Sequence, residues 1–169
     1  MNYHNITKDD MNNGDGIRVV LWVAGCTHYC PECHNPETWD FYSGIHFDID
    51  ALDEIRAELS KDYVTGITLS GGDPLAPRNR ESTLALVDWV RKKFPTKTIW
   101  VYTGYSYEQL VFEGNYVSCC ILKRIDVLVD GRYKKDLRDV SLKWRGSKNQ
   151  RVIDVQKTLK MGRVVLHCD

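Results

Sequence analysis

The run Ile17-Arg18-Val19-Val20-Leu21-Trp22-Val23-Ala24 restricts the fold more than any other stretch. It is nearly continuous in apolar character, rich in β-branched residues and closed by Gly25, the pattern of a strand covered on both faces. Directly after it comes Cys26-Thr27-His28-Tyr29-Cys30-Pro31-Glu32-Cys33, three cysteines in the spacing CxxxCxxC. Thiolates this close together can wrap one face of a compact metal centre, and a tetrahedral zinc site or a fully protein-ligated cubane each needs a fourth ligand. The loop holds no fourth cysteine. Either a distant residue completes a closed structural site, or the last position is left for a small molecule.

The remaining chain alternates strand and helix signals. Residues 1–16 are polar and carry Asn12-Asn13-Gly14-Asp15-Gly16, a turn signal in which both glycines can take positive φ, so a loop is predicted to feed the first strand. Asp48 to Ser60 places Ile49, Leu52, Ile55 and Leu59 at helical spacing. Val64 to Leu69 is a predicted strand that runs into Ser70-Gly71-Gly72-Asp73-Pro74. Asn79 to Phe94 reads as a helix with Leu84, Val87, Val90 and Phe94 on one stripe and Pro95 as its stop. Thr98 to Tyr102 is the third strand, Ser106 is predicted to cap a short helix ending near Phe112, and Tyr116 to Arg124 is a further helix. Ile125 to Val129 is the fourth strand, ending at Asp130-Gly131. Beyond it the chain is basic and less regular, with Trp144-Arg145-Gly146-Ser147-Lys148-Asn149-Gln150 as its distinctive patch and Val164-Val165-Leu166 as a candidate edge strand.

This order predicts an α/β fold with a mostly parallel sheet. A full eight-unit barrel takes about 250 residues, so a chain of 169 can build only part of one. Such sheets bind ligands at the carboxyl ends of their strands, which is where the tri-cysteine loop and the Gly-Gly-Asp loop both fall.

The length fits a single domain, 1–169. The 23 basic residues balance the 23 acidic ones, which argues against a charge field built for nucleic acid or a membrane surface. No apolar run approaches the roughly 20 residues that span a bilayer, and the opening lacks the basic and apolar regions of a signal peptide, so a cytoplasmic location is expected. Of six cysteines, three share one loop, Cys119 and Cys120 are adjacent in an apolar segment, and Cys168 is next to last. That distribution suits a reducing compartment and a metal site better than a disulfide framework. Cys119 and Cys120 read as small buried hydrophobes, Cys168 as a loose terminal thiol, His4, His46 and His167 as ordinary polar positions, and Trp22, Trp89 and Trp100 as core. Lys134, Lys135, Arg138, Lys143 and Arg145 read equally as a solvated face or a docking surface. Taken alone, the cysteine loop leaves open a zinc site completed by His28, His34 or a remote cysteine, and Gly71 to Pro74 leaves open a plain tight turn.

In combination, the CxxxCxxC loop and the later glycine-rich loop resemble the signature of the radical S-adenosylmethionine superfamily. Within it, the chain resembles the activating proteins of anaerobic, class III ribonucleotide reductases. The matching stretches are Met1-Asn2-Tyr3, Asn13-Gly14-Asp15-Gly16, Cys26 to Cys33, Ser70-Gly71-Gly72-Asp73-Pro74-Leu75, Trp100 to Tyr105, Leu128-Val129-Asp130-Gly131, and Trp144-Arg145-Gly146-Ser147 with Asn149-Gln150. The resemblance implies an incomplete radical-SAM-type (β/α) barrel. It also implies a 4Fe-4S cluster on Cys26, Cys30 and Cys33, with one iron left for the amino and carboxylate groups of S-adenosylmethionine. Reductive cleavage of that cofactor would give a 5′-deoxyadenosyl radical that takes hydrogen from a glycine Cα of the large reductase subunit, with no side chain needed as general acid or base.

Gly71, Gly72 and Asp73 are implied beside the methionine part, Asp73 as an acceptor for its ammonium, and Glu32, Cys33 and His34 in the cofactor pocket near the adenine. The implied electron donor is flavodoxin-like or ferredoxin-like, and the implied assemblies are a homodimer or a heterotetramer with the reductase, with neither nucleic acid nor membrane as partner. Two alternatives stand beside this reading: the activase of another glycyl radical enzyme of the pyruvate formate-lyase type, and a non-catalytic iron-sulfur or zinc module. Asp15 replaces the proline usual in the family's turn, which implies a looser turn. Glu32 stands where many superfamily members carry an aromatic residue, and His34 where relatives commonly have tyrosine.

Overall fold

Apolar runs joined by helical crossovers set the centre of the sheet in the computed structural model, which describes residues 1–112 and 115–168. Strand β1 (Asn2–Asp10) leads into β2 (Ile17–Val23), followed by a two-residue strand β3 (Ile45–His46) and helix α1 (Ile49–Leu59). Then come β4 (Val64–Gly71), α2 (Arg80–Lys93), β5 (Thr98–Tyr102), α3 (Tyr107–Phe112), α4 (Tyr116–Leu122) and β6 (Val127–Asp130). Strand β7 (Arg151–Asp154) and helix α5 (Val155–Met161) close the described order. The seven strands lie in the order β3-β1-β2-β4-β5-β6-β7. Neighbours from β2 through β6 pair parallel, whereas β1 on β2, β3 on β1 and β7 on β6 pair antiparallel. The fold is thus mixed α/β, and its sheet is open, with β3 and β7 at the edges.

Local chemistry sets the helix ends. Asp48 caps α1 by accepting from the N–H groups of Asp50 and Ala51. At α3, Ser106 Oγ accepts from Gln109 N at 3.2 Å while Gln109 Oε1 accepts from Ser106 N at 2.8 Å, a reciprocal capping box. One face of the sheet, through Val19, Leu21, Ile67, Leu69, Ile99 and Val101, packs on Ile55 and Leu59 of α1, Val87 and Val90 of α2, and Ile121 of α4. The other face carries a smaller cluster of Trp100, Val127, Val129 and Val152, with Tyr102, Trp144 and Cys168 packed against it.

Arg18 is fully buried. Its guanidinium donates to Thr68 Oγ1 at 2.8 Å, Thr98 Oγ1 at 2.9 Å, Ile67 O at 2.8 Å and Asp15 O at 3.0 Å, and it lies 5.3 Å from the Trp100 ring centroid. Burial lowers its pKa to about 10, so it remains a cation at neutral pH. This cation holds the Asn13 to Gly16 turn against the sheet.

The turn has both glycines at positive φ, as the sequence predicts, +135° at Gly14 and +74° at Gly16. Other expectations need correction. The stretch predicted as a leading loop contains β1, which escapes pattern reading because only Tyr3 and Ile6 of its residues turn inward. The turn is tied down at Asp15: Thr65 Oγ1 donates to Asp15 O at 2.9 Å, and His167 Nε2 meets Asp15 Oδ2 at 2.6 Å. His167 is therefore a tertiary contact, its ring 5.1 Å from that of Trp100, and Cys168 packs on the smaller cluster instead of hanging free. The edge strand is β7, within the segment expected to be irregular, and Leu166 contributes only an isolated bridge to Ile153. Ile49, assigned to the buried stripe of α1, is exposed. Among the described residues no helix is long and apolar enough to cross a membrane.

Candidate cluster and cofactor site

The loops that follow β2, β4, β5 and β6 meet at the carboxyl ends of the parallel strands. They surround a cavity of about 350 Å³ whose lining includes Cys26, Cys30 and Cys33 from the first loop, Gly71 and Gly72 from the second, Thr103 and Gly104 from the third, and Gly131 and Tyr133 from the fourth. That volume suits a small molecule.

The cysteine loop curls through left-handed backbone at Tyr29 (φ +47°) and Glu32 (φ +55°). Cys33 N donates to Cys30 O at 3.1 Å, and Asn35 N to Cys33 Sγ at 3.4 Å. All three cysteines are free thiols on the same cavity. Burial pushes the Cys26 thiol up to about 11, with the negative charge of Asp73 adding to the effect and the His28 N–H opposing it. Cys30 is pushed up as well, chiefly by burial. A bound cation reverses that balance, because coordination deprotonates a thiol. Three soft donors, with no fourth cysteine on the cavity among the described residues, fit an iron-sulfur cubane that leaves one iron for a small molecule.

Backbone contacts lock this loop to the glycine loop. Gly72 N donates to Val23 O at 2.8 Å and Asp73 N to Gly25 O at 2.8 Å. Asn79, buried at the start of α2, makes no helix cap; its amide instead donates to Ala24 O at 2.9 Å and Asp73 O at 3.0 Å, stapling both loops.

Behind the glycine turn, Asp73 is buried and saturated. Its Oδ1 accepts from Leu75 N at 2.8 Å, its Oδ2 from Gly104 N at 3.0 Å and, at 2.7 Å, meets His28 Nε2, while Thr103 Oγ1 lies 3.0 Å from both oxygens. Donor atoms of Cys26, His28 and Asp73 lie within 4.8 Å of one another, a spacing open to a mononuclear metal. The Asp73 oxygens are already occupied by hydrogen bonds, so the trio forms a hydrogen-bonded wall.

Residues 12–153 match a protein family described as a 4Fe-4S single cluster domain. The chain is 46% identical over 152 residues to the anaerobic ribonucleoside-triphosphate reductase-activating protein of Enterobacteria phage T4, an alignment spanning 90% of this chain and 93% of that one. It is 45% identical over 152 residues to the protein of the same name from Escherichia coli (strain K12), spanning 89% and 96%. The chain belongs to this family.

Not all of the site residues that the sequence predicts reach the cavity of this activating-protein family member. Cys26, Cys30, Cys33, His34, Gly71 and Gly72 all line the cavity. Glu32 and Asp73 do not. Glu32 points outward with a side chain 58% exposed and pairs with Lys135 across to the segment after β6. Asp73 faces inward to its own hydrogen bonds, which leaves it no free oxygen for direct cofactor contact.

The lining also includes residues outside the predicted site. The sequence offers His28 only as a zinc ligand, Trp22 as core, and Arg145 as a solvated face or docking surface, yet all three reach the cavity with Asn13, Thr103, Gly104 and Gln150. Gln150 secures the segment after β6: its Oε1 accepts from Gly146 N at 3.0 Å and Ser147 N at 3.1 Å, and its Nε2 donates to Gly131 O at 2.9 Å. The signal for most of these lay in the family-like stretches Asn13 to Gly16, Trp100 to Tyr105 and Trp144 to Gln150.

Proposed function

We propose that this member of the family is the activating enzyme that cleaves S-adenosylmethionine at a 4Fe-4S cluster and generates the glycyl radical of an anaerobic ribonucleoside-triphosphate reductase. The observation that carries this reading is the meeting of three free thiols and a glycine turn on one cavity of small-molecule size. Cys26, Cys30 and Cys33 would hold the cluster, and the fourth iron would remain for the cofactor. Gly71 and Gly72, lacking side chains, let the backbone approach the methionine part, and Cys33 and His34 border the adenine. Glu32 acts at one remove, by directing the chain between Cys30 and Cys33.

When bound, the cluster and S-adenosylmethionine would supply the reductive carbon-sulfur cleavage and the hydrogen abstraction from a glycine Cα of the reductase, with Cys26, Cys30 and Cys33 holding the cluster. The chain's own part is to orient and to shield. Trp22, Trp39 and Tyr102 add aromatic surface to the cavity wall and keep water from the reacting centre. Residues 1–169 form one domain in this reading, and the open sheet is an incomplete radical-SAM barrel. The protein works in the cytoplasm with a flavodoxin-like or ferredoxin-like donor, as a homodimer or a heterotetramer with the reductase.

Anaerobic reconstitution with iron and sulfide tests the reading. A brown protein that releases equal amounts of methionine and 5′-deoxyadenosine after dithionite reduction is expected. A colourless protein that keeps stoichiometric zinc and cleaves nothing would overturn it.

A further inference from the structure

Arg145 stands on the cavity wall as a cation without an ion pair. It is the one lysine or arginine in the lining among the described residues, and the lining holds no aspartate or glutamate among them. Its Nε is buried without a hydrogen-bond partner. The two terminal nitrogens also lack a partner among the described residues, but they are not sealed, so the planar end of the side chain keeps open surface. A half-buried guanidinium that meets no acceptor gives up hydration without return, and native folds rarely keep such a group unless a ligand satisfies it.

The backbone that carries Arg145 is held on both sides. Trp144 takes left-handed φ, +63°, which a bulky residue seldom adopts, and its ring stands edge-on to that of Trp100 with centroids 5.9 Å apart. Gly146 N and Ser147 N both donate to Gln150 Oε1, at 3.0 and 3.1 Å, and the buried Ser147 accepts from Lys134 N at 3.1 Å. The same segment reaches the cysteine loop, where the Tyr133 and His34 rings lie 5.8 Å apart. A fixed support thus offers Arg145 to the cavity, and none of its bonds uses the guanidinium.

S-adenosylmethionine carries one anionic group. Its sulfonium and ammonium repel a guanidinium, whereas its carboxylate matches the planar fork of donors. We propose that Arg145 pairs with the carboxylate of the methionine part and so sets which way the bound cofactor lies in the cavity. This inference rests on the proposed function, and it gives Arg145 a binding role where the sequence offers only a surface one.

Decarboxylated S-adenosylmethionine, which keeps the adenosine, the sulfonium and the amine, isolates the pairing. Affinity is measured by equilibrium dialysis on anaerobically reconstituted, oxidised protein, with iron content and melting temperature alongside. For Arg145→Met, wild-type iron content and an unchanged melting temperature are expected, because the guanidinium gives up no protein contact. S-adenosylmethionine and S-adenosylhomocysteine, which both carry the carboxylate, should bind this variant about thirtyfold more weakly than the wild type. The decarboxylated form should bind it no more weakly than the wild type, and Arg145→Lys, which keeps the charge without the fork, should fall between. Wild-type affinity for S-adenosylmethionine in Arg145→Met, or an equal penalty for the decarboxylated form, overturns the inference and leaves the proposed function standing. If Arg145→Met loses iron or melts early, Arg145→Gln decides: a penalty about tenfold larger for S-adenosylmethionine than for the decarboxylated form supports the pairing, and equal penalties overturn it. Loss of iron in both variants assigns Arg145 to the metal centre and overturns it too. If the decarboxylated form binds neither protein, Arg145→Lys decides: S-adenosylmethionine affinity within about fivefold of wild type supports the pairing, and a loss as large as that of Arg145→Met overturns it. A wild-type protein that binds no S-adenosylmethionine removes both readings.

Discussion

Gly72 and Gly25 approach so closely that a Cβ on Gly72 would lie 2.5 Å from the Gly25 carbonyl oxygen. That oxygen also accepts from Asp73 N at 2.8 Å, so the glycine loop and the cysteine loop form one backbone unit. The cavity owes its shape to this contact, because the strands beneath, β2 and β4, deliver both loops in parallel register up to Val23 and Gly71.

Gly72→Ala should force the two loops apart, since the atoms in the way are backbone atoms of Gly25 and Thr38 that cannot swing aside. A loss of about 1–3 kcal/mol in chemical denaturation is expected, together with reduced iron uptake on reconstitution. An unchanged protein would show that the loops slide freely.

Arg18→Met should be more damaging than its volume change implies. The Thr68 and Thr98 hydroxyls and the Ile67 and Asp15 carbonyls would lose a buried donor together, at a cost of about 2–4 kcal/mol. Hydrogen exchange should rise first in the Asn13 to Gly16 turn, which Arg18 ties to the sheet.

Arg151 links Glu108 on α3 to the buried Asp130 at the end of β6. Its hydrogen bond holds the Glu108 carboxyl below the usual glutamate range. A carboxyl more acidic folded than unfolded contributes stability that is present above its unfolded pKa and lost as pH falls through the lowered value. Glu108 is partly exposed, so screening keeps the effect to about 0.5 kcal/mol. Glu108→Gln is therefore expected to unfold at a slightly lower urea concentration than the parent at about pH 6, with the difference shrinking as the pH falls below the unfolded glutamate value of about 4.3.

Cys26→Ala, Cys30→Ala and Cys33→Ala should each fail to hold a 4Fe-4S cluster. Cys119→Ala and Cys120→Ala should retain full iron content, because neither lines the cavity, and the buried Cys120 should cost about 1 kcal/mol of stability. Full iron in a Cys30→Ala protein would break the proposed ligand set.

Much of this was legible in the sequence where one periodicity dominates. The bounds read for β5, Thr98 to Tyr102, match the strand, because every residue there suits a buried parallel position. β1 was not legible, since its inward positions, Tyr3 and Ile6, break the two-residue alternation at a register shift and polar residues fill the rest. β7 and α5 hid in a basic stretch whose burial depends on the neighbouring β6. The same limit governs the site. Spacing brings three cysteines together, but it cannot say which way a carboxylate turns, and Asp73 turned inward because Leu75 N, Thr103 and Gly104 N wait there. Nor does a lone His28 between two cysteines announce that Asp73, fully 45 positions on, fixes one of its nitrogens.

The most direct test of the central claim is electron paramagnetic resonance of the target subunit. Reconstituted protein, reduced anaerobically and mixed with S-adenosylmethionine and the large subunit of an anaerobic ribonucleoside-triphosphate reductase, should give a glycyl-radical doublet that requires the cofactor and disappears with Cys30→Ala. A fully loaded 4Fe-4S protein that cleaves S-adenosylmethionine but leaves that subunit without a doublet would contradict the claim, and a doublet appearing instead on a pyruvate formate-lyase-type enzyme would redirect it.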